Sequence, residues 1–289
     1  MPELSLPEQI LAVLPTVRER HDPRDLLHVV LKQAAHQAYA VAFSDPAGGA
    51  VRLAPFGELR FPYVRMGAVD SVNLFDLDEL ILFAFYHLNR TRYHKVADIG
   101  GNLGLHSLML ARCGFEVHCY EPDPVHAELL QANLERNSVQ GVTLVRAAVS
   151  SEAGELEFVR VKGNTTGSHL AGAKANPYGE LERFPVRVEA MGPILERADF
   201  LKIDAEGHEA EILCATPPQA WRGKEAVVEV GSAENAERIF AHFHGGDVRL
   251  FAQRLNWGEV TRRDDMPESY KHGSLFIGGR GEPMPWGAA

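Results

Sequence analysis

The sequence predicts an α/β fold with a mostly parallel central sheet and helices on both faces, and two observations carry that expectation. From residue 95 onward, short apolar runs alternate with stretches of helical period, the pattern of strand–helix units wound into a parallel sheet. At the first such joint stands Asp98-Ile99-Gly100-Gly101-Asn102-Leu103-Gly104, a glycine-rich turn from strand to helix. Turns of this kind lie at the rim where open α/β sheets take up ligands. The 289 residues suit one such domain with an N-terminal extension. The extension, helical with a small β element, is drawn over residues 1–90 and the Rossmann-like domain over 91–289, with an insertion at about 151–190.

Residues 5–38 read as two helices. Ser5 with Glu8 fits a capping box ahead of Leu6, Ile10, Leu11 and Leu14. Asp22-Pro23 reads as a cap followed by proline at the first helical position, with Leu26, Leu27, Val30, Leu31 and Ala34 as the apolar stripe. Over residues 39–66, Gly48-Gly49 and Phe56-Gly57 punctuate β-like runs and predict a small sheet or hairpin. Asp76 and Glu79 form another cap pair, for a helix through Leu77, Leu80, Ile81, Ala84 and Leu88 that ends near Asn89. There follow strand 96–99, helix 103–112, strand 115–120, helix 124–137 and strand 142–145. Later come strand 201–203, helix 207–214 and strand 226–230. Residues 151–190 interrupt the alternation with strand-like runs at 156–161 and 185–188 around a polar stretch, 162–169. Such an insertion serves either as a wall or lid over a ligand site or as an ordinary hairpin with a long loop.

Composition narrows the function classes. Lys and Arg total 29 against 39 Asp and Glu, a net charge of −10, so no general field attracts nucleic acid. Cys113, Cys119 and Cys214 are too few for a disulfide framework and read as small buried hydrophobes in a reducing compartment. No CxxC pair suggests zinc, and no apolar run reaches membrane-spanning length. The first residues lack a basic stretch followed by an apolar one, and the expected location is cytoplasmic, without membrane contact.

Three segments carry the chemistry. Gly100, Gly101 and Gly104 allow a tight turn and close backbone approach, and the helix beyond offers unpaired N–H groups to a carboxylate. Asp98 ends the strand and is expected to face the crevice. Glu121, at the end of the next strand about 20 residues on, is placed to accept hydrogen bonds from ribose hydroxyls. Pro122 then stops the strand. In Leu201-Lys202-Ile203-Asp204-Ala205-Glu206-Gly207-His208-Glu209, three acids and a histidine cluster at a strand end. Asp204 is expected to point into the site, whereas Glu209 reads as a helix N-terminal cap. His208, His169 and His106 are general-base candidates ranked behind Asp204. Glu229 is a further rim acid, placed to join Asp204 around a substrate or a cation.

Together these segments resemble the FkbM family of class I methyltransferases. The likeness spans roughly residues 70–230 and is most specific over Lys202–Glu209; the N-terminal helices match nothing in it. The resemblance implies S-adenosylmethionine as methyl donor and a hydroxyl acceptor on a sugar, glycan or natural product. Carried over by position, Asp98, Gly100, Gly101, Asn102 and Gly104 would surround the methionine part, and Glu121 with Pro122 the ribose. Ala147 and Ala148 would line the adenine through backbone; many class I methyltransferases place an acid there. Asp204, with His208 or His169 behind it, would take the acceptor proton. A divalent metal near Asp204 stays open, as do a homodimer, a nicotinamide-dependent oxidoreductase and a non-catalytic nucleoside-binding subunit. The glycine spacing and the lack of a recognisable Tyr-x-x-x-Lys pair count against the oxidoreductase.

Overall fold

The computed structural model describes residues 4–43, 49–67, 69–174 and 179–286. Helix α1 (Leu6–Val13) begins at the expected cap, where the Ser5 N–H donates to Glu8 Oε2 at 2.8 Å. Glu8 Oε1 also accepts from the Ala54 N–H, tying the helix to the hairpin that follows. The second helix does not start at Asp22-Pro23. Asp22 accepts from the Arg24 N–H within a turn, and α2 (Leu26–Ala42) is capped by Asp25, which accepts from the Leu27 N–H. Strands β1 (Gly49–Leu53) and β2 (Gly57–Phe61) form the expected antiparallel hairpin; Gly48 lies outside the described residues. Helix α3 (Leu77–Leu88) is capped by Asp76, but Glu79 turns away from the cap and reaches His106 at 2.8 Å.

The alternating region folds as β3 (Lys95–Ile99), α4 (Leu105–Arg112), β4 (Glu116–Tyr120), α5 (Pro124–Arg136) and β5 (Val142–Val145). The insertion contributes β6 (Ala148–Ser150), β7 (Gly154–Val161), β8 (His169–Leu170) and β9 (Leu181–Ala190), followed by α6 (Met191–Arg197). The chain then re-enters the main sheet as β10 (Phe200–Ile203), α7 (Glu209–Leu213), β11 (Glu225–Val228) and α8 (Ala233–Phe243). It closes with β12 (Arg249–Ala252), β13 (Gly258–Glu259) and β14 (Leu275–Gly278), three strands not anticipated from the sequence.

The main sheet has the order β13-β12-β14-β11-β10-β3-β4-β5. The five strands from β11 to β5 are parallel, and β14 runs antiparallel between β11 and β12. This is the Rossmann-like α/β class. Side chains alternate between two cores, as a pleated strand requires. Val96, Val117, Phe200, Val227 and Phe276 face a core with α1 to α5, whereas Ala97, Leu201, Ala226 and Ile277 face α6, α7 and α8. The insertion makes its own sheet, β6-β9-β7-β8, packed around Phe158, Leu170, Val186 and Val188. No helix among the described residues is long and apolar enough to cross a membrane.

Candidate functional site

Strands β3, β4 and β10 are neighbours running the same way, so their C-terminal ends meet along one rim. That rim opens onto a cleft of about 630 Å³, with further lining from the small sheet through Ala148, Phe158, His169 and Leu170. Its apolar walls with a few polar groups are those of a small-molecule site.

The glycines are explained by close approach to protein. At Gly100 φ is +83°, and a Cβ would lie 1.8 Å from the Asp204 carbonyl oxygen; at Gly101 it would lie 2.2 Å from Cys119 Sγ. The turn's amides are occupied internally. Gly100 and Gly101 N–H both donate to the Tyr120 carbonyl at 3.0 Å, and the Gly104 N–H donates to the Gly101 carbonyl at 2.8 Å. The Asn102 N–H donates to Glu121 Oε2 at 2.7 Å. Those four amides are thus not a free anion cradle. Gly100 and Asn102 line the cleft, while Gly101 and Gly104 sit behind it against Leu130. Asn102, at φ +49°, instead contributes a side-chain oxygen, Oδ1, that is buried without a partner among the described residues.

Asp98 corrects the sequence reading. It is sealed in the core, accepts from Ser107 Oγ at 2.6 Å, and is not part of the cleft lining. Glu121 is buried yet lines the cleft beside Pro122. Its Oε1 accepts from the Asp123 N–H at 2.8 Å, and burial pushes its carboxyl up to about 8.

Asp204 lines this cleft and also a second one of about 420 Å³, shared with Asp78, Glu79, Lys202, Glu229, Tyr270 and Ser274. Burial, reinforced by Asp204 and Glu206, pushes Glu229 well above the usual carboxylate range. Glu206 lines the first cleft, where Lys174 Nζ donates to its Oε2 at 2.6 Å; burial and Asp204 raise it to about 7. His208 and His169 both line the first cleft, and burial lowers both. His208 Nε2 is 2.9 Å from Ser150 Oγ, and His169 Nδ1 is 3.0 Å from the Gly167 carbonyl. His106 lines neither cleft and is held between the Tyr86 hydroxyl and Glu79. Glu209 is the expected structural acid, accepting from the Ala205 and Gly207 N–H groups at 3.1 and 2.8 Å.

Sequence reasoning missed Lys202, Glu79, Tyr270 and Ser274 as cleft residues. Lys202 had a visible signal, a charge in the middle of a buried apolar run. Tyr270 and Ser274 had none, because their place depends on β14 returning beside β11. Among the described residues, no group of three or more His, Cys, Asp or Glu is placed to hold a metal ion.

The model of the methyltransferase FkbM domain matches residues 98–256, more than half of the chain. The chain belongs to the FkbM methyltransferase family. Among curated relatives, it is 29% identical to "Methyltransferase sdnD" of Sordaria araneosa, over 44% of this chain and 61% of that protein. It is 26% identical to "Methyltransferase 1" of Beauveria bassiana, over 44% of this chain and 59% of that protein. The chain thus spans about three-fifths of the length of these relatives. Among solved structures it is similar to an S-adenosylmethionine-dependent methyltransferase from Agrobacterium tumefaciens, at 11% identity and a TM-score of 0.43, covering 80% of this chain and 69% of that one. It is also similar to cofactor-bound Rv0187 from MTB, at 15% identity and a TM-score of 0.38, covering 96% and 99%.

Proposed function

We propose that this FkbM-family chain is an S-adenosylmethionine-dependent methyltransferase acting on a hydroxyl of a sugar, glycan or natural product. One observation carries the reading: a cleft faced by Glu121 and Asn102 meets a second, acid-lined cleft at the single carboxylate Asp204.

The first cleft fits the donor. Glu121 has lone pairs left beyond its two amide bonds to accept ribose hydroxyls. The unpartnered Asn102 Oδ1 suits the ammonium of an amino-acid tail. Pro122, Ala148, Phe158 and Leu170 give an apolar wall for a purine. When bound, the donor supplies an electrophilic methyl group on a sulfonium sulfur.

The second cleft takes the acceptor, so its hydroxyl reaches Asp204 from the side opposite the donor. Alignment of the reacting atoms between two walls supplies much of the rate in a direct displacement. The hydroxyl must also lose its proton as it attacks, and Asp204 is the carboxylate common to both clefts. His208 and His169 face the donor cleft and are donor contacts in this reading. With four carboxyl side chains and one ammonium, the acceptor cleft suits neutral or cationic molecules and repels anions.

Calorimetry with S-adenosylmethionine, S-adenosylhomocysteine and NAD, followed by labelled-methyl transfer to neutral, amino and anionic glycosides, tests this. Heat from the two adenosyl ligands and label on the neutral or amino acceptors are expected. No heat from either adenosyl ligand, or heat from NAD alone, sinks the reading.

A further inference from the structure

Strand β10 carries an ammonium where its pleat faces the core. Phe200 and Lys202 share a face, and Phe200 lies in the core beneath α3. Lys202 is itself buried, and a charge withdrawn from water persists only if partners hold it. Its Nζ lies 3.3 Å from the Gly100 carbonyl oxygen, 3.4 Å from Asp204 Oδ2 and 3.9 Å from Asp98 Oδ1. These partners belong to the glycine turn, to the carboxylate between the clefts and to the sealed acid of β3. Glu79 from α3 and Glu229 after β11 face it more distantly. Burial disfavours the ammonium, but Asp204, Asp98, Glu79 and Glu229 outweigh it and hold Lys202 charged.

We propose that Lys202 is a positioning residue: its ammonium fixes the Asp204 carboxylate at the junction of the two clefts and ties it to the glycine turn. The proposal rests on the reading of those clefts as donor and acceptor sites. Asp204 stands where the two clefts join, and an ammonium against one of its oxygens holds the carboxylate in one orientation. The same ammonium binds the carbonyl of Gly100, the residue whose missing Cβ lets the Asp204 backbone approach. Turn and carboxylate are therefore held as one unit.

The test follows Asp204 by 13C NMR in the aspartate-labelled full chain, assigned with Asp204→Asn, with and without S-adenosylhomocysteine. In Lys202→Met the Asp204 titration midpoint rises by about one unit or more, and Lys202→Arg restores it to within about half a unit. An unmoved midpoint in Lys202→Met overturns the proposal. Should that variant not fold, the unaltered protein decides. The Lys202 15Nζ resonance shifts as Asp204 titrates, and this inflection vanishes in Asp204→Asn; its absence from the unaltered protein, or its survival in the variant, overturns the proposal. Calorimetry on the same samples separates the two readings. No heat with coupling intact removes the methyltransferase assignment alone, and heat without coupling removes the role of Lys202 alone.

Discussion

Asp204 and Glu121 are both acids on one cleft, yet their surroundings differ, and under the proposed function so do their tasks. Asp204 is partly open and reached from two clefts, so its loss should act on chemistry rather than on donor affinity. Asp204→Asn is expected to lower turnover about 100-fold or more while the calorimetric affinity for S-adenosylhomocysteine stays within about threefold. Equal losses of both would place Asp204 in the donor site. Glu121 is shielded, and each of its oxygens already accepts a backbone N–H. In Glu121→Gln an amide NH2 must face one of those donors, so donor affinity should fall about tenfold or more. Burial raises the Glu121 carboxyl from 4.5 to about 8, so the folded chain binds a proton that the unfolded chain has released over that window. Its contribution to stability is therefore retained below about 4.5 and lost as pH rises toward 8. Ribose hydroxyls favour the ionised form, so binding at about pH 7 should release protons. Calorimetry in buffers of different ionisation heat reads that release, which should be absent in Glu121→Gln.

At the scale of elements, the wall formed by the small sheet is held by a few named ties. Arg160 on β7 donates two bonds to the buried Asp123, at 2.7 and 2.6 Å, and Asp123 also caps α5 by accepting from the Val125 N–H. One carboxylate thus joins the wall to the helix that follows β4. Arg160→Met should cost about 3 kcal/mol, because it leaves Asp123 buried without its cation. Denaturant unfolding measures that loss, and a change below about 1 kcal/mol would show the tie to be peripheral. A second tie joins the loop after β7 to the segment before α3. The Thr165 N–H donates to the Met66 carbonyl, and Gly67 pairs with Asn164. Gly67 has φ +91°, and a Cβ there would lie 1.8 Å from the Gly163 carbonyl oxygen. This glycine is what allows the two segments to touch beside the cleft.

Across the whole molecule, one core runs from Ile10 on α1 to Trp286 near the end of the chain. His21 is its hinge. The Trp257 indole N–H donates to His21 Nδ1 at 2.9 Å, so Nε2 carries the proton and donates to the Leu14 carbonyl at 3.0 Å. Burial pulls this imidazole down to about 4, consistent with the neutral tautomer those bonds require. Trp286 packs edge-on against His21 at 5.0 Å and against Phe85 at 5.7 Å. The N-terminal helices are therefore built into the same core as the sheet. Trp286→Ala should cost about 3–5 kcal/mol and still give one unfolding transition. A separate early transition of the helical signal would show that the N-terminal helices fold apart from the sheet.

The sequence by itself determined the strand–helix alternation of residues 95–145 and 200–228, the caps at Ser5 and Asp76, and an acid, Glu121, at the end of β4. These are short-range properties: period, capping and turn chemistry are written within a few residues of where they act. Only the tertiary structure decided the rest. The turn amides went to Tyr120 and Glu121, Asp98 was sealed against Ser107, and Lys202 was set between Gly100 and Asp204. The antiparallel return of β12 to β14 was equally silent, although it brings Tyr270 and Ser274 to the second cleft. Each of these partnerships joins distant positions, and a residue's own neighbourhood does not record which distant group packing will press against it.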